Sequence, residues 1–139
     1  MARILVGIDG SKGALKALDY VAARKRRGEK IEVIAVYAQP LIKAHGPIVT
    51  HAMVSNFQSQ EREKVLSAPG LKTRTKFLDA DVYVQTGDPA ECIIAFAKKS
   101  KCTEIVMGSR GLGRLSGLLL GSVVTKVVQL SQIPVVVVK

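Results

Sequence analysis

Short apolar runs alternate with helix-like segments along most of the chain, and this alternation constrains the fold more than any other feature. The strand-like runs are ARILVGI, KIEVIAVYA, DADVYVQ, TEIVMG and PVVVVK. The helix-like segments are SKGALKALDYVAARKRR, DPAECIIAFAKKS and GSVVTKVVQLS, with a further helix from about Val54 in SNFQSQEREKVL. Strands that alternate with helices form a parallel sheet covered by helices on both faces. The sequence therefore predicts an α/β fold.

Local signals set the ends of these helices. Asp9 or Ser11 can cap the first helix, and Gly28 ends it. Pro89 stands at the first turn of the helix in DPAECIIAFAKKS, where its missing N–H is not needed. These signals support the predicted order of strands and helices.

The segment from Gln39 to Lys76 has the weakest pattern. Its helix is expected to end at the breaker APG, and Met53, Phe57 and Val65 are expected to pack rather than to line a pocket. His45 and His51 stand six residues apart without a cysteine or paired carboxylate, so the sequence predicts a surface loop there and no metal site.

Length and composition favour one globular domain over residues 1–139. The apolar runs are all shorter than the ~20 residues of a membrane-spanning helix. The N-terminus enters a strand pattern at once, without the pattern of a signal peptide, so we expect a cytoplasmic protein. Cys92 and Cys102 do not form a disulfide framework and are expected to be small core residues.

The chain is strongly basic, with 21 lysine and arginine residues against 11 acidic ones. The basic residues concentrate in blocks at Arg24–Lys30, Lys72–Lys76 and Lys98–Lys101. A basic surface can attract nucleic acid, an acidic partner or an anionic ligand. The first and last blocks fall where helices should end, where cations complement the helix dipole. No aromatic residues interleave with them as a stacking platform would require, so the sequence disfavours nucleic acid.

Five of the twelve glycines fall within fourteen residues between a strand-like and a helix-like run. They are Gly108, Gly111, Gly113, Gly117 and Gly121. A glycine-rich loop that enters a helix presents unpaired N–H groups and the positive end of the helix dipole to phosphate. Arg110 and Arg114 add positive charge, and no acidic residue follows Glu104. The loop therefore predicts a polyphosphate site, with a mobile loop and a tight helix–strand turn as the alternative.

A second glycine-bearing loop, GIDGSKG, follows the first strand and should lie at the same carboxyl edge of the sheet, where such folds bind ligands. The common phosphate motifs do not match. The P-loop pattern is absent, and the dinucleotide pattern fails because Ser116 follows Gly111 and Gly113 where a glycine is needed. That pattern also needs an acidic residue about 20 positions further on, which this chain lacks.

The spacing of Gly108, Gly111, Gly121 and Ser122 resembles the nucleotide-binding signature of the universal stress protein family, ATP-binding type. IVMGSRGLGRLSGLLLGSVVTKVV is similar to that family's C-terminal segment, and ILVGIDGS, GDPAECII and IPVVVV are similar to its other blocks. The resemblance is weakest from Pro40 to Lys76. It implies a flavodoxin-like (adenine nucleotide alpha hydrolase-like) three-layer sandwich with a five-stranded parallel sheet in the order 3-2-1-4-5.

The resemblance also implies a homodimer through the C-terminal strand, Val135 to Val138. An uncovered apolar edge strand invites pairing with another chain, which agrees with that expectation.

The family's ligand contacts transfer onto matching positions. The residues implied on the adenine and ribose side are Gly7, Ile8, Asp9, Ala38, Met107 and Gly108. Those implied near the phosphates are Arg110, Gly111, Gly121, Ser122 and Val123. Magnesium would bridge the phosphates, since hard cations prefer oxygen. Two alternatives remain open, because Asp9 and Ser122 could each serve only as a helix cap.

The sequence thus predicts an ATP-binding regulatory protein of the stress response. Rapid hydrolysis would require a group that positions water and stabilises the transferring phosphoryl group. Apart from Asp9, no such residue is evident near the phosphate loop, so we expect no catalytic residue and at most slow hydrolysis or autophosphorylation. The alternatives are a family member that acts through a protein partner without nucleotide, a basic nucleic-acid-binding protein, and an enzyme of the related hydrolase folds, for which the chain has no substrate domain.

Overall fold

The computed structural model describes residues 1–42, 46, 48–111 and 120–139. Within them the strands are β1 Ala2–Ile8, β2 Ile31–Gln39, β3 Asp81–Thr86, β4 Glu104–Gly108 and β5 Val135–Val138. The helices are α1 Lys12–Arg26, α2 His51–Ser67, α3 Pro69–Leu78, α4 Pro89–Lys99 and α5 Ser122–Leu130. The predicted alternation of strands and helices is confirmed.

The strands form one parallel sheet in the order β3-β2-β1-β4-β5, which confirms the order that the resemblance implied. β1 pairs with β2 up to Ile8 opposite Tyr37, and with β4 up to Val6 opposite Val106. The order reverses between β1 and β4, so a crevice opens at the carboxyl ends of these two strands.

The sheet separates two buried layers because its central strands are covered on both faces. On one face, Ile4 and Val6 of β1 pack with Leu18 of α1. On the other face, Leu5 packs with Ile93 of α4 and Val127 of α5 belongs to the same cluster. Alternate side chains of one strand enter opposite layers, as the continuous apolar run ARILVGI predicts.

The structure corrects the interpretation of residues 40–76. The helix α2 begins at His51, where the Thr50 hydroxyl accepts a hydrogen bond from Met53 N at 3.1 Å. The helix α2 ends at Ser67, directly before the APG stretch as expected, but Pro69 then starts a further helix, α3, which the sequence analysis missed. Proline is compatible with a first helical position, since that N–H has no partner inside the helix anyway.

Packing of α2 also differs from the prediction. Val65 is buried as expected, but Met53 and Phe57 are 53% and 51% exposed, so their predicted packing is wrong. The helix, described over its full length, buries only Val65 and contacts the sheet through its C-terminal half. His51 is exposed as predicted, but it is the first residue of α2 and not part of a loop, and His45 lies outside the described residues.

The basic blocks predicted at helix ends do occupy the last turns of α1 and α4. Arg24 lies 3.0 Å from Glu29 and 2.6 Å from Glu104, and hydrogen bonds to these carboxylates hold the pKa of its guanidinium above the usual range. The block Lys72–Lys76 lies inside α3 instead. Cationic side chains therefore serve helix termini and local ion pairs at these positions.

Two further expectations concern cysteine and the membrane. Cys102 is buried and Cys92 half-buried in or against the second layer, as predicted for core residues, and burial raises the pKa of both thiols. None of the helices in the described residues is long and apolar enough to span a bilayer.

Two glycines let α1 approach the end of β4 at backbone contact. A Cβ atom on Gly108 would lie 2.5 Å from the Gly13 carbonyl carbon, and a Cβ on Gly13 would collide with the carbonyl oxygen of Arg110. Real Cβ atoms do not approach other atoms this closely. The first turn of α1 is therefore held against the loop after β4 by the absence of two side chains.

We predict that Gly13→Ala lowers the free energy of unfolding by about 2 kcal/mol, because the clash outweighs the helix propensity gained with alanine. Gly70→Ala is a matched control at the second position of α3, where the nearest atoms are flexible side-chain ends of Arg74 and Leu15 at 3.3 and 3.4 Å. Chemical denaturation of both variants checks this, and an unchanged midpoint for Gly13→Ala would show that the approach is not tight.

Candidate functional site

A cavity of about 250 Å³ opens at the carboxyl edge of the sheet, in the crevice between the loops that follow β1, β2 and β4. All eleven residues that the sequence analysis assigned to a site line it: Gly7, Ile8, Asp9, Ala38, Met107, Gly108, Arg110, Gly111, Gly121, Ser122 and Val123. The fold thus brings the predicted site residues together, and their contacts with a ligand remain a prediction.

Asp9 does not cap α1 in this structure. The Ser11 hydroxyl accepts from Ala14 N at 3.2 Å, while Asp9 Oδ1 accepts from Ser11 N at 2.9 Å. The second carboxylate oxygen faces the glycine loop, since a Cβ on Gly111 would lie 2.6 Å from Asp9 Oδ2. Gly111 therefore leaves room for the Asp9 carboxylate, which borders the cavity.

Gly121 has a different reason to be glycine. Its φ of −69° and ψ of 166° are open to any residue, and a Cβ there would meet Gly111 N at 3.4 Å, an ordinary contact. Gly108 and Gly111 are explained by contacts within the chain, whereas the contacts among the residues that the structure describes do not require glycine at position 121. Space beside this residue is what a group approaching the α5 N-terminus would need.

Hydrogen bonds fix the loop between β4 and α5. Ser109 N donates to Val138 O at 2.8 Å, and Gly121 N donates to Ser109 O at 2.7 Å. The Gly121 N–H therefore already donates to a carbonyl of the chain, whereas the resemblance implied that it donates to phosphate. The next two amides, Ser122 and Val123, donate to no described backbone carbonyl and stand at the start of α5. These are the N–H groups that a helix N-terminus offers to an anion.

Ser122 is not the N-cap of α5. Gly121 occupies the capping position and has no side chain to cap with, while Ser122 is the first helical residue and is exposed. The alternative in which Ser122 serves only as a cap is therefore wrong.

The sequence analysis missed several residues that line the cavity, namely Ser11, Ala14, Tyr37, Pro40, Pro89, Ile93 and Val124. The motif GDPAECII held a signal for Pro89 and Ile93, because it places the α4 N-terminus at the same edge. Tyr37 precedes Ala38 on β2 and is buried; burial first, then the charges of Glu61 and Asp9, raises the pKa of its phenol. It is a neutral hydroxyl on a largely apolar wall.

Two charged residues near the cavity differ in their surroundings: Asp88 precedes the cavity-lining Pro89 in the chain, and Arg110 lines the cavity itself. Asp88, the N-cap of α4, accepts from Glu91 N at 3.0 Å and from Lys126 Nζ at 3.1 Å, and these donors hold the pKa of its carboxyl below the usual range. The same ion pair raises the pKa of Lys126. Arg110 is exposed at the rim of the cavity. Arg114, Gly113 and Gly117 lie outside the described residues.

No group of three or more histidine, cysteine, aspartate or glutamate side chains suited to a metal occurs in the part of the chain that the structure describes. Asp9 is the carboxylate residue that lines the cavity there.

The family model of the universal stress protein family matches residues 1–139. The chain belongs to the universal stress protein family. Universal stress protein YxiE of Bacillus subtilis is 32% identical over 99% of this chain and 98% of its own. The match to the family and this relative both extend through the segment 40–76, where the sequence motifs were weakest.

Solved structures of universal stress proteins share the fold. UspA from Lactobacillus plantarum aligns with a TM-score of 0.85 at 20% identity, covering 99% of this chain and 97% of its own. The universal stress protein from Archaeoglobus fulgidus, solved in complex with dAMP, aligns with a TM-score of 0.62 at 22% identity, covering 100% and 98%. These likenesses establish a flavodoxin-like universal stress protein architecture.

Proposed function

We propose that this universal stress protein binds an adenine nucleotide, Mg·ATP in its physiological form, in the cavity at the carboxyl edge of its sheet. The observation that carries the proposal is Gly121, which opens a helix N-terminus beside that cavity and which the packing of the described residues does not require to be glycine. The complex of the Archaeoglobus fulgidus protein with dAMP supports the ligand class.

The base would lie between the loop after β1 and the end of β2. Pairing between β1 and β2 ends at Ile8 and Tyr37, so no strand pairs with Ala38 on that side. Its backbone would contact the base, with Ile93 and Met107 supplying apolar surface. Asp9 Oδ2 lies beside Gly111, where a ribose hydroxyl could donate to it.

The phosphates would lie at the start of α5. The amides of Ser122 and Val123 would donate to phosphate oxygens, with the Ser122 hydroxyl and the charge of Arg110 in support. Asp9 is the carboxylate residue that borders the described cavity, and we place it on the base side. Magnesium would therefore be held by phosphate oxygens and water, as is usual for this ion.

The proposed role is regulation by binding rather than turnover. Phosphoryl transfer needs a group that positions the nucleophile and cations that stabilise the transferred phosphoryl group. We assign no residue to the first of these tasks, and product analysis would detect slow hydrolysis or autophosphorylation. A stress-response role and a cytoplasmic location are expectations from the family and the sequence, and they stay predictions.

Two alternative functions, binding of a protein partner without nucleotide and binding of nucleic acid, would require other structural features. A protein that works only through partners has no use for an open helix N-terminus beside Gly121. A nucleic-acid-binding protein would use its basic blocks, but Arg24 is engaged with Glu29 and Glu104, and the other cations of two blocks end α1 and α4. Neither alternative accounts for the cavity.

We predict that the wild-type protein binds Mg·ATP with micromolar affinity, about −8 kcal/mol, and that Gly121→Val weakens binding about 100-fold. Valine would fill the space beside the α5 N-terminus, while the ordinary contacts of a Cβ at this position leave the fold intact. Calorimetric titration measures the affinity, with Gly121→Ala as an intermediate step and Gly70→Ala as a glycine control outside the cavity. Equal affinities of Gly121→Val and wild type would place the phosphates elsewhere, and a wild type without affinity would refute the proposal.

We also propose a homodimer through β5. The carbonyls of Pro134 and Val138 accept hydrogen bonds from Ile105 N and Ser109 N, so they face β4. Backbone groups alternate along a strand, which turns Val135 and Val137 toward the open edge of the sheet. The exposed side chains of Val128 and Leu130 on α5 add apolar surface at the same end of the sheet. An open apolar edge of this kind favours pairing with a second copy.

In size-exclusion chromatography with light scattering, we expect twice the chain mass of 14.9 kDa for the wild type. Val137→Pro removes an N–H that faces the open edge and should give a monomer, whereas Val137→Ala keeps that N–H and should remain a dimer. A monomeric wild type, or a dimer that survives Val137→Pro, would exclude this edge as the interface.

A further inference from the structure

The polar side chain of Gln39 is buried at the last position of β2, between two residues that line the cavity. Among the described residues, only Ser11 and Gln39 are buried polar side chains, and the burial of Ser11 is explained by its cap on α1. The burial of Gln39 calls for a separate explanation, because a buried amide is stable only where its donors and acceptors are paired.

Helix α2 supplies the partners of this amide. Gln39 Nε2 donates to Gln58 O at 2.8 Å, and Gln39 Oε1 accepts from Arg62 Nη2 at 3.2 Å. Gln58 Nε2 in turn donates to Pro40 O at 3.1 Å. Three hydrogen bonds thus connect α2 to Gln39 and Pro40, the two residues that directly follow the proposed base contact, Ala38.

The Arg62 guanidinium relies on Gln39 for its hydrogen bond. Its Nε is buried and donates to no acceptor in the structure, and Gln39 Oε1 is its one hydrogen-bond acceptor among the described residues. The two side chains therefore act as a unit: removing Arg62 leaves the buried Oε1 of Gln39 without this donor, and removing Gln39 leaves the half-buried guanidinium without its acceptor.

Helix α2 also contacts the opposite wall of the cavity. Gly10, with a φ of +85°, lies in the loop after β1, and a Cβ there would be 3.3 Å from Val65 Cγ2. Val65 is the residue that α2 buries. Helix α2 thus contacts both the loop that carries Asp9 and the end of β2. The base would lie between these two segments.

We propose that Gln39 is a positioning residue that, through Arg62 and Gln58, holds the base-side wall of the cavity against α2, so that nucleotide binding and the docking of α2 stabilise each other. This inference rests on the proposed nucleotide site. It is reciprocal by thermodynamic necessity: a ligand that binds better when the wall is in place also favours the docked helix. This coupling suits α2, because Val65 is its one buried side chain and Leu66 is only partly buried against the same layer.

A double-mutant cycle tests the inference. We expect Gln39→Met and Arg62→Met each to weaken Mg·ATP binding about tenfold, and the double variant to lose no more than either single variant, because the two residues act as a unit. Gln85→Met is the matched control: it makes the same change on β3, at the residue paired with Ala38, and the structure gives its side chain no hydrogen bond to α2.

Hydrogen exchange supplies a readout that a purely structural role would not change. Mg·ATP should slow the exchange of amides in residues 58–66 of the wild type and of Gln85→Met, but not of Gln39→Met or of the double variant. Should Gln39→Met fail to fold, Arg62→Met carries the same comparison. Wild-type affinity in Gln39→Met, or ligand protection of α2 that persists in it, would overturn the inference and leave the nucleotide site standing. A wild type that does not bind Mg·ATP would overturn both.

Discussion

The site depends on one physical constraint, the backbone contact between the first turn of α1 and the loop that follows β4. Gly13 and Gly108 meet there with no room for a Cβ, and Gly111 lies against the carboxylate of Asp9. These contacts bring loops from two neighbouring parallel strands to one point. The cavity is what remains between them once β2 and the N-termini of α4 and α5 close its other sides.

This geometry separates two kinds of glycine in a cluster that looks uniform in the sequence. Gly108 and Gly111 are required by contacts between segments of the chain itself, whereas Gly121 leaves space at a helix N-terminus. The distinction matters because only the second kind points to a ligand. Because Gly121 N donates to Ser109 O, the amides of Ser122 and Val123 are the ones proposed to bind phosphate.

The strands and the edge of the sheet that carries the cavity could be predicted from the residues, because buried parallel strands are continuous apolar runs and their carboxyl ends share one edge. The order of the strands was implied by the family resemblance alone. The end of α2 before Pro69 could be predicted but the start of α3 at Pro69 could not, because proline is compatible both with the stop of one helix and with the first turn of the next. Gly13 and Gln39 could not be found, since their roles depend on partners far away in the chain: Arg110 for Gly13 and Arg62 for Gln39. The exposure of Met53 and Phe57 likewise follows from where α2 docks and not from its pattern.

The central claim is that an adenine nucleotide binds at the carboxyl edge of the sheet. Chemical-shift mapping of the backbone amides during titration with Mg·ATP tests it most directly, since each predicted contact reports separately. We expect the largest amide chemical-shift changes at Ile8, Asp9 and Ala38 on the base side and at Ser122 and Val123 on the phosphate side. Shifts confined to the opposite edge, at the basic ends of α1 and α4, would contradict it, as would a spectrum that does not change.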